Sequence, residues 1–247
     1  MRILLTNDDG IHAPGLKVLE GIARQFSDDI WICAPDEEQS GMGHALTLAR
    51  PVRLRKHDDR RFSVTGTPTD AVTMGMRKVM DAQPDVILSG VNRGANLADD
   101  ITYSGTVSAA IEGALAGIRS IALSQVYAKE GMGADVPFSA AIEWGAKVLA
   151  PLLDTPLPQR TLVNVNFPPL PPAEVKGIRA VRRGTVVEGR DPRGFKYYWF
   201  GLEAIEHTLD HGTDLEAIDE GYISVTPLQL DLTHHSSLGA LADRFTS

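Results

Sequence analysis

Residues 1–10, MRILLTNDDG, contain the pattern on which the fold prediction rests. The apolar run over residues 3–6 predicts a short buried strand, and the polar string at 7–10 follows it directly. Apolar spacing over residues 16–26 then predicts an amphipathic helix, and the run at 30–34 predicts a second buried strand. A strand, a helix and a second strand in this order form the unit from which parallel sheets are built.

The same alternation continues along the chain. Further helices are predicted at residues 70–80, 106–117, 138–153 and 214–221, and further strands at 86–89, 121–124, 162–166 and 223–226. Residues 48–65 break the rhythm, because their apolar side chains alternate as they do in an antiparallel hairpin. The pattern predicts an α/β fold in three layers (α/β/α), with helices on both faces of a mostly parallel sheet.

A single domain over residues 1–247 is predicted, since one α/β domain commonly reaches this length. Residues 1–125 would form its core, and residues 126–247 would complete the core and extend from it. Within this extension the segment 177–203 is irregular and aromatic, with four aromatic residues in a row at 197–200. We expect antiparallel hairpins there that reach onto another subunit, followed by a solvated polar tail around His234 and His235.

Composition limits the partners and the compartment. The net charge of −8 and the pI of about 5.3 argue against a nucleic-acid polymer or an anionic membrane as the main partner. The apolar run at the N-terminus is too short for a signal peptide, and no later stretch approaches the length of a membrane span. We therefore expect a cytoplasmic protein, with its single cysteine, Cys33, as a small buried hydrophobe.

Two adjacent carboxylates, Asp8 and Asp9, follow the first predicted strand in a loop that ends at Gly10. Two carboxylates close together repel each other, and one tends to keep its proton unless a cation lies between them. A divalent metal ion would remove this conflict. The alternative is an ordinary Asp-Asp-Gly turn in which one side chain caps the next helix.

Neutral oxygen donors follow the next two strands along the chain. Ser40 comes after the second strand and Asn92 after the third. The carboxyl ends of parallel strands share one edge of the sheet, where ligands commonly bind. Two carboxylates, a hydroxyl and an amide oxygen would suit Mg²⁺, Mn²⁺ or Ca²⁺. Taken alone, however, Ser40 and Asn92 are also ordinary turn residues.

A predicted helix entrance at Ser104, Gly105 and Thr106 is a candidate phosphate site. The first N–H groups of a helix have no partner within the helix, and the helix dipole favours an anion there. The two hydroxyl groups would add donors. The alternative is a plain helix N-cap, and the similar string at 66–70 has the same two interpretations.

Together these strings resemble the SurE family of stationary-phase survival proteins. The matching strings are ILLTNDDG at 3–10 with APG at 13–15, AP at 34–35, SG at 40–41, GTPTD at 66–70, SGVNRGAN at 89–96, YSGTV at 103–107, TD at 213–214, GY at 221–222 and SVTPL at 224–228. These strings occur in the family's order and span most of the chain.

The resemblance implies a metal-dependent 5′(3′)-nucleotidase with a Rossmann-like core. One divalent ion per subunit, Mg²⁺ or Mn²⁺, would be held by Asp8, Asp9, Ser40 and Asn92. Asn96, Ser104, Gly105 and Thr106 would line the phosphate pocket, and Asp8 and Asp9 would be the catalytic residues. The family also implies a nucleoside monophosphate substrate and a homodimer or homotetramer with exchanged C-terminal segments.

Two other functions are kept as alternatives. A nucleotide-binding regulatory protein would bind nucleotide without releasing phosphate, and a phosphotransferase on the same fold would need an acceptor. The residues do not indicate the preferred base, the physiological metal, activity on polyphosphate, or which aspartate handles the proton.

Overall fold

A nine-stranded sheet runs through the computed structural model, which describes residues 1–127, 138–185 and 211–245. The strands are β1 (Ile3–Thr6), β2 (Ile30–Pro35), β3 (Leu54–Lys56), β4 (Arg61–Val64), β5 (Val86–Arg93), β6 (Arg119–Gln125), β7 (Thr161–Phe167), β8 (Ile178–Ala180) and β9 (Ile223–Gln229). Their order is β3-β4-β2-β1-β5-β6-β7-β9-β8. Neighbouring strands are parallel except in the β3–β4 and β7–β9 pairs. The prediction of an α/β fold with a mostly parallel sheet is confirmed.

Helices cover both faces of this sheet. They are α1 (Pro14–Ala23), α2 (Pro68–Met74), α3 (Gly105–Leu115), α4 (Ser139–Asp154), α5 (Asp214–Asp219) and α6 (His235–Phe245). Successive residues of β1 face opposite ways, so Leu5 packs with α1 and α4 whereas Leu4 packs with α2 and α3. Both faces of β1 are therefore apolar, which is why its sequence is a continuous apolar run.

The strand order places the end of β1 at a switch point. In the sheet, β1 lies between β2 on one side and β5 on the other, so the chain continues to one side of β1 and later returns to the other side. Crevices at such points lie outside the carboxyl ends of the strands. Helix α1 begins close beneath this edge, because a Cβ on Gly15 would lie 1.9 Å from the carbonyl oxygen of Val91. A larger residue at position 15 has no room.

The predicted antiparallel hairpin within residues 48–65 is confirmed as β3 and β4. The helix predicted at 70–80 is corrected at both ends. It begins at Pro68, because Thr67 and Asp70 form a capping box, and it changes to a π-helical turn over Gly75–Val79.

The strand predicted at 86–89 is longer than expected and continues to Arg93, with a shift in its register against β6 between Ser89 and Asn92. Five of the eight residues in the string SGVNRGAN at 89–96 are thus part of the strand.

The polar tail predicted around His234 and His235 is exposed, but it also contains a helix that was not predicted. Helix α6 begins at His235, and none of its residues is buried. The hairpin predicted around the aromatic residues 197–200 lies outside the described residues. In the described parts of the chain, no helix has the length and apolar character that a membrane crossing requires.

Candidate functional site

The loop after β1 is held in a tight turn. The side-chain amide of Asn7 donates a hydrogen bond to the carbonyl oxygen of Gly10 at 2.9 Å. Gly10 has a φ of +99°, a conformation that other residues rarely adopt. A Cβ at this position would also lie 3.2 Å from the backbone of Glu37 in the loop after β2. The turn therefore presents Asp8 and Asp9 next to the end of the neighbouring strand.

Hydrogen bonds join the loops after β1, β2 and β5. The backbone N–H of Gln39 donates to the carbonyl oxygen of Asp8 at 2.8 Å. From the other side, the backbone N–H of Arg93 donates to Oδ2 of Asp9 at 3.1 Å. The two aspartates thus contact residues adjacent to Ser40 and to Asn92. The structure brings these three predicted segments to one edge of the sheet.

Asp8 is a buried carboxylate at the N-terminus of α3. Its side chain accepts a hydrogen bond from the hydroxyl of Thr106 at 2.5 Å, and a Cβ on Gly105 would lie 2.7 Å from the Cβ of Asp8. The pKa of Asp8 is raised from its ordinary value of 3.8 to about 7, mainly by burial and in part by the charge of Asp9, and the hydrogen bond from Thr106 acts in the opposite direction.

Asp9 is less buried than Asp8, and its pKa is also raised. Burial is the main cause, and the negative charge of Glu38 adds to it, whereas the backbone N–H bond from Arg93 and its positive charge act in the opposite direction. Two neighbouring carboxylates that are both held above their ordinary pKa form a place where a cation is favoured.

The two neutral donors lie at the rim. Ser40 is exposed, and its hydroxyl donates to Oε1 of Glu38 at 3.0 Å. The amide nitrogen of Asn92 donates to the carbonyl oxygen of Gly94 at 3.0 Å. This bond leaves the amide oxygen of Asn92 as the uncommitted atom of that side chain.

In the described ranges, no three histidine, cysteine, aspartate or glutamate residues are grouped so that they could hold a metal ion. A metal at this edge would thus depend on two carboxylates and neutral oxygens. Such all-oxygen ligands fit a hard ion such as Mg²⁺ or Mn²⁺ better than Zn²⁺.

Ser104 is the N-cap of α3. Its hydroxyl oxygen accepts a hydrogen bond from the backbone N–H of Val107 at 3.0 Å, and its carbonyl oxygen accepts one from the hydroxyl of Ser108. Helix α3 begins at Gly105, one residue before its predicted start. The capping alternative is therefore correct for the Ser104 oxygen, although its hydroxyl proton is still free to be donated. The hydroxyl of Thr106, in contrast, is committed to Asp8.

Asn96 lies in the loop after β5 and is buried. The amide groups of Asn164 and Asn166 both bond to its backbone, and its own side-chain nitrogen donates to the hydroxyl of Ser124 at 2.8 Å. Sequence reasoning missed these three partners. The signal was present at residues 162–166, where asparagines alternate with apolar residues in a buried strand.

A further residue that sequence reasoning left without a role is Asp214, which is fully buried. Its carboxylate accepts backbone hydrogen bonds from Ala98 at 2.9 Å, from Gly184 at 2.7 Å and from Leu215 at 3.0 Å. Asp214 thus connects the loop that contains Asn96 to the start of α5.

A family model described as survival protein SurE matches residues 3–189 of this sequence. The chain belongs to the SurE family. All eight residues predicted for the metal and phosphate sites lie within the matched range, whereas Asp214 lies beyond it.

Individual SurE relatives match over nearly their whole length. A protein of Erythrobacter litoralis named 5′-nucleotidase SurE is 68% identical over 99% of this chain and 100% of its own length. One of the same name from Rhizorhabdus wittichii is 60% identical over 97% of this chain and 98% of its own. The crystal structure of the SurE protein from Aquifex aeolicus superimposes with a TM-score of 0.85 at 37% identity and covers 99% of both chains.

The burial of Asp8 makes a prediction about the stability of this SurE chain without metal. Asp8→Asn keeps an acceptor for Thr106 and removes the buried charge. Because the folded-state pKa of about 7 exceeds the ordinary 3.8, the destabilisation by Asp8 is complete above pH 7 and disappears toward pH 4. We expect the variant to melt about 4 °C higher than the native protein at pH 8 in EDTA, with the difference shrinking as the pH falls.

Differential scanning fluorimetry between pH 4.5 and pH 8.5 measures this difference. Asp28→Asn, at an exposed position remote from the site, is the matched control and should leave the melting temperature unchanged at every pH. A pH-independent difference between Asp8→Asn and the native protein would contradict the assignment of a buried charge.

Proposed function

We propose that this protein is a divalent-metal-dependent nucleotidase that hydrolyses nucleoside 5′-monophosphates to nucleoside and phosphate at the edge formed by β1, β2 and β5. Its SurE relatives carry the name 5′-nucleotidase at up to 68% identity. The observation that carries the proposal is the Asp8 carboxylate, which is buried at the N-terminus of α3 with Asp9 beside it. Two adjacent carboxylates, one buried and one half-buried, would repel an anionic substrate unless a cation intervenes.

The ion, Mg²⁺ or Mn²⁺ and one per subunit, would be held by Asp8, Asp9, Ser40 and Asn92. Its chemistry is to neutralise phosphate charge and to acidify water. The chain fixes the donors in advance: Thr106 holds Oδ1 of Asp8, and the Arg93 N–H holds Oδ2 of Asp9. An ionised carboxylate has about four acceptor sites, so each aspartate would keep lone pairs for the ion beside these hydrogen bonds. The hydroxyl of Ser40 donates its proton to Glu38, so its oxygen lone pairs would remain available to the ion.

The phosphate group would lie between this pair and the start of α3. The hydroxyl proton of Ser104 and the backbone N–H of Gly105 would be donors for its oxygens, and the helix dipole would favour its charge. Gly105 permits the helix to approach Asp8, since a Cβ there would collide with that side chain. Asn96 would form the far wall of the pocket.

A carboxylate oxygen of Asp8 or Asp9 would accept the proton of the attacking water. Asp9 is the more exposed of the two and is therefore easier for water to reach. Asp8 is more deeply buried, and its pKa is raised to about 7, which favours proton uptake near neutral pH. A covalent aspartyl-phosphate is not part of this proposal. A nucleoside 3′-monophosphate would bind the same donors if its phosphate group can lie between the two aspartates and the start of α3.

The first experiment is phosphate release from a panel of nucleoside 5′- and 3′-monophosphates with Mg²⁺, Mn²⁺ or EDTA. We expect release with metal and none with EDTA. Asp8→Asn and Asn92→Ala should lower kcat/KM by at least about tenfold, because each removes an oxygen donor to the ion. Asp28→Asn serves as the control and should match the native protein.

The rivals predict other results. Nucleotide binding without phosphate release from any substrate would favour a regulatory protein. Release that requires an added alcohol or nucleoside acceptor would favour a phosphotransferase.

We further propose that the protein is a cytoplasmic homodimer or homotetramer in which the C-terminal segment is exchanged. Helix α6 is amphipathic and exposes Leu238, Leu241 and Phe245, which lie on one helical face by their spacing of three and four residues. None of the described residues of its own chain covers this face, so a second copy of the chain is the partner that we assign to it.

Removal of residues 231–247 tests the exchange, because the cut spares β9, which lies inside the sheet. We expect the truncated chain to elute as a monomer, or as a smaller oligomer, on size-exclusion chromatography with light scattering. The double change Leu238→Ser and Leu241→Ser should have the same effect with the full chain length. A truncated chain with the native mass in solution would contradict the exchange.

A further inference from the structure

The loop after β5 is fixed by side chains of a strand that lies two places away in the sheet. Asn166 makes two hydrogen bonds to the backbone of Asn96: its Oδ1 accepts from the N–H at 2.9 Å, and its Nδ2 donates to the carbonyl oxygen at 3.0 Å. Nδ2 of Asn164 donates to the same carbonyl oxygen at 2.7 Å. The backbone of Asn96 thus makes three hydrogen bonds to side chains of β7, one through its N–H and two through its carbonyl oxygen.

Burial makes these bonds specific. Asn164 and Asn166 are fully buried, and Asn96 is 6% exposed. Water does not compete for the amide groups at these sites, and a buried N–H or C=O without a partner is strongly unfavourable. A primary amide that bonds both groups of one residue reproduces the pairing of a neighbouring strand. It therefore defines both the position and the rotation of the Asn96 backbone.

Packing alone does not explain the two asparagines of β7, because apolar side chains would fill these buried positions without unpaired polar groups. The two asparagines interrupt a strand whose other buried residues are Leu162, Val163, Val165 and Phe167. The side-chain oxygen of Asn164 has no hydrogen-bond partner among the described residues, so the residue is retained at some cost to stability. Buried polar groups of this kind are commonly kept for a geometric task.

We propose that Asn166, assisted by Asn164, is a positioning residue that sets the phosphate-facing loop at Asn96 and through it the binding of the substrate phosphate. This inference rests on the proposed function. The hydrogen bonds of Asn166 go to Asn96, whereas the side chains of the carboxylate pair are held by Thr106 and Arg93. Loss of Asn166 should therefore weaken phosphate binding and leave metal affinity unchanged.

Kinetics in Mn²⁺ test this separation. Asn166→Ala should raise KM for adenosine 5′-monophosphate and the inhibition constant of inorganic phosphate about tenfold, because both bonds of the pair are lost. Asn164→Ala removes a single bond, so we expect a smaller rise. The Mn²⁺ concentration for half-maximal activity should stay within about twofold of the native value in both.

Ser224→Ala is the matched control. Ser224 is the partner of Asn166 in the β7–β9 ladder, is fully buried and has a hydroxyl without a partner in the described part of the chain. Ser224→Ala removes a buried polar group beside Asn166 but none of the hydrogen bonds to Asn96, so KM should not change. An equal rise of KM in Ser224→Ala would mean general damage to the strand and would overturn the proposal.

A double-mutant cycle with Asn96→Ala tests whether Asn166 acts through Asn96. We expect Asn166→Ala to add little to the KM of the Asn96→Ala protein, since the positioned side chain is already gone. Fully additive effects would overturn the proposal, because they would mean that Asn166 acts independently of that side chain.

Hydrogen exchange separates this inference from the proposed function. The N–H of Asn96 is protected by Oδ1 of Asn166, so peptides that cover residues 94–98 should exchange about tenfold faster in Asn166→Ala and at the native rate in Ser224→Ala. This readout requires no turnover. If the native protein releases no phosphate but the exchange difference is present, the proposed nucleotidase activity is refuted, whereas the anchoring of the loop by Asn166 still holds. An unchanged exchange rate would overturn the positioning role itself.

Discussion

The buried contact between Asp8 and the first turn of α3 is the constraint on which the rest of the site depends. A carboxylate that is removed from water needs hydrogen bonds and positive charge in compensation. The protein supplies hydrogen bonds through Thr106, which Gly105 allows to come close to Asp8, but it places Asp9 alongside and thereby adds a second negative charge. An arrangement that is unfavourable by itself is explained by the cation that it would bind.

Parallel topology makes this arrangement possible. With β1 between β2 and β5, three loops that are far apart in the sequence meet at one edge, and backbone hydrogen bonds lock each loop to the aspartates. The strands below that edge are apolar on both faces, so the sheet is rigid where the loops begin. The far side of the site depends on β7, whose asparagines hold the loop after β5.

Much of this could be predicted from the sequence because the signals are local. Apolar runs define β1, β2 and β5, and polar strings after them indicate the edge where ligands bind. Two features could not be predicted, because they depend on tertiary contacts. The hydroxyl of Thr106 bonds to Asp8, which is 98 residues earlier in the chain, and the side chain that pairs with the Asn96 backbone comes from a strand 70 residues later.

Helix α6 was missed because its sequence has few apolar residues, and its apolar face is exposed in the described part of the chain. The central claim, that Asp8 and Asp9 form a site for one divalent ion, is tested most directly by titrating Mn²⁺ into the metal-free protein. Isothermal titration calorimetry at pH 8 would follow the binding for the native chain and for Asp8→Asn. The account predicts one ion per native chain and a loss of affinity of at least about tenfold in the variant. Equal stoichiometry and affinity in both proteins would contradict it.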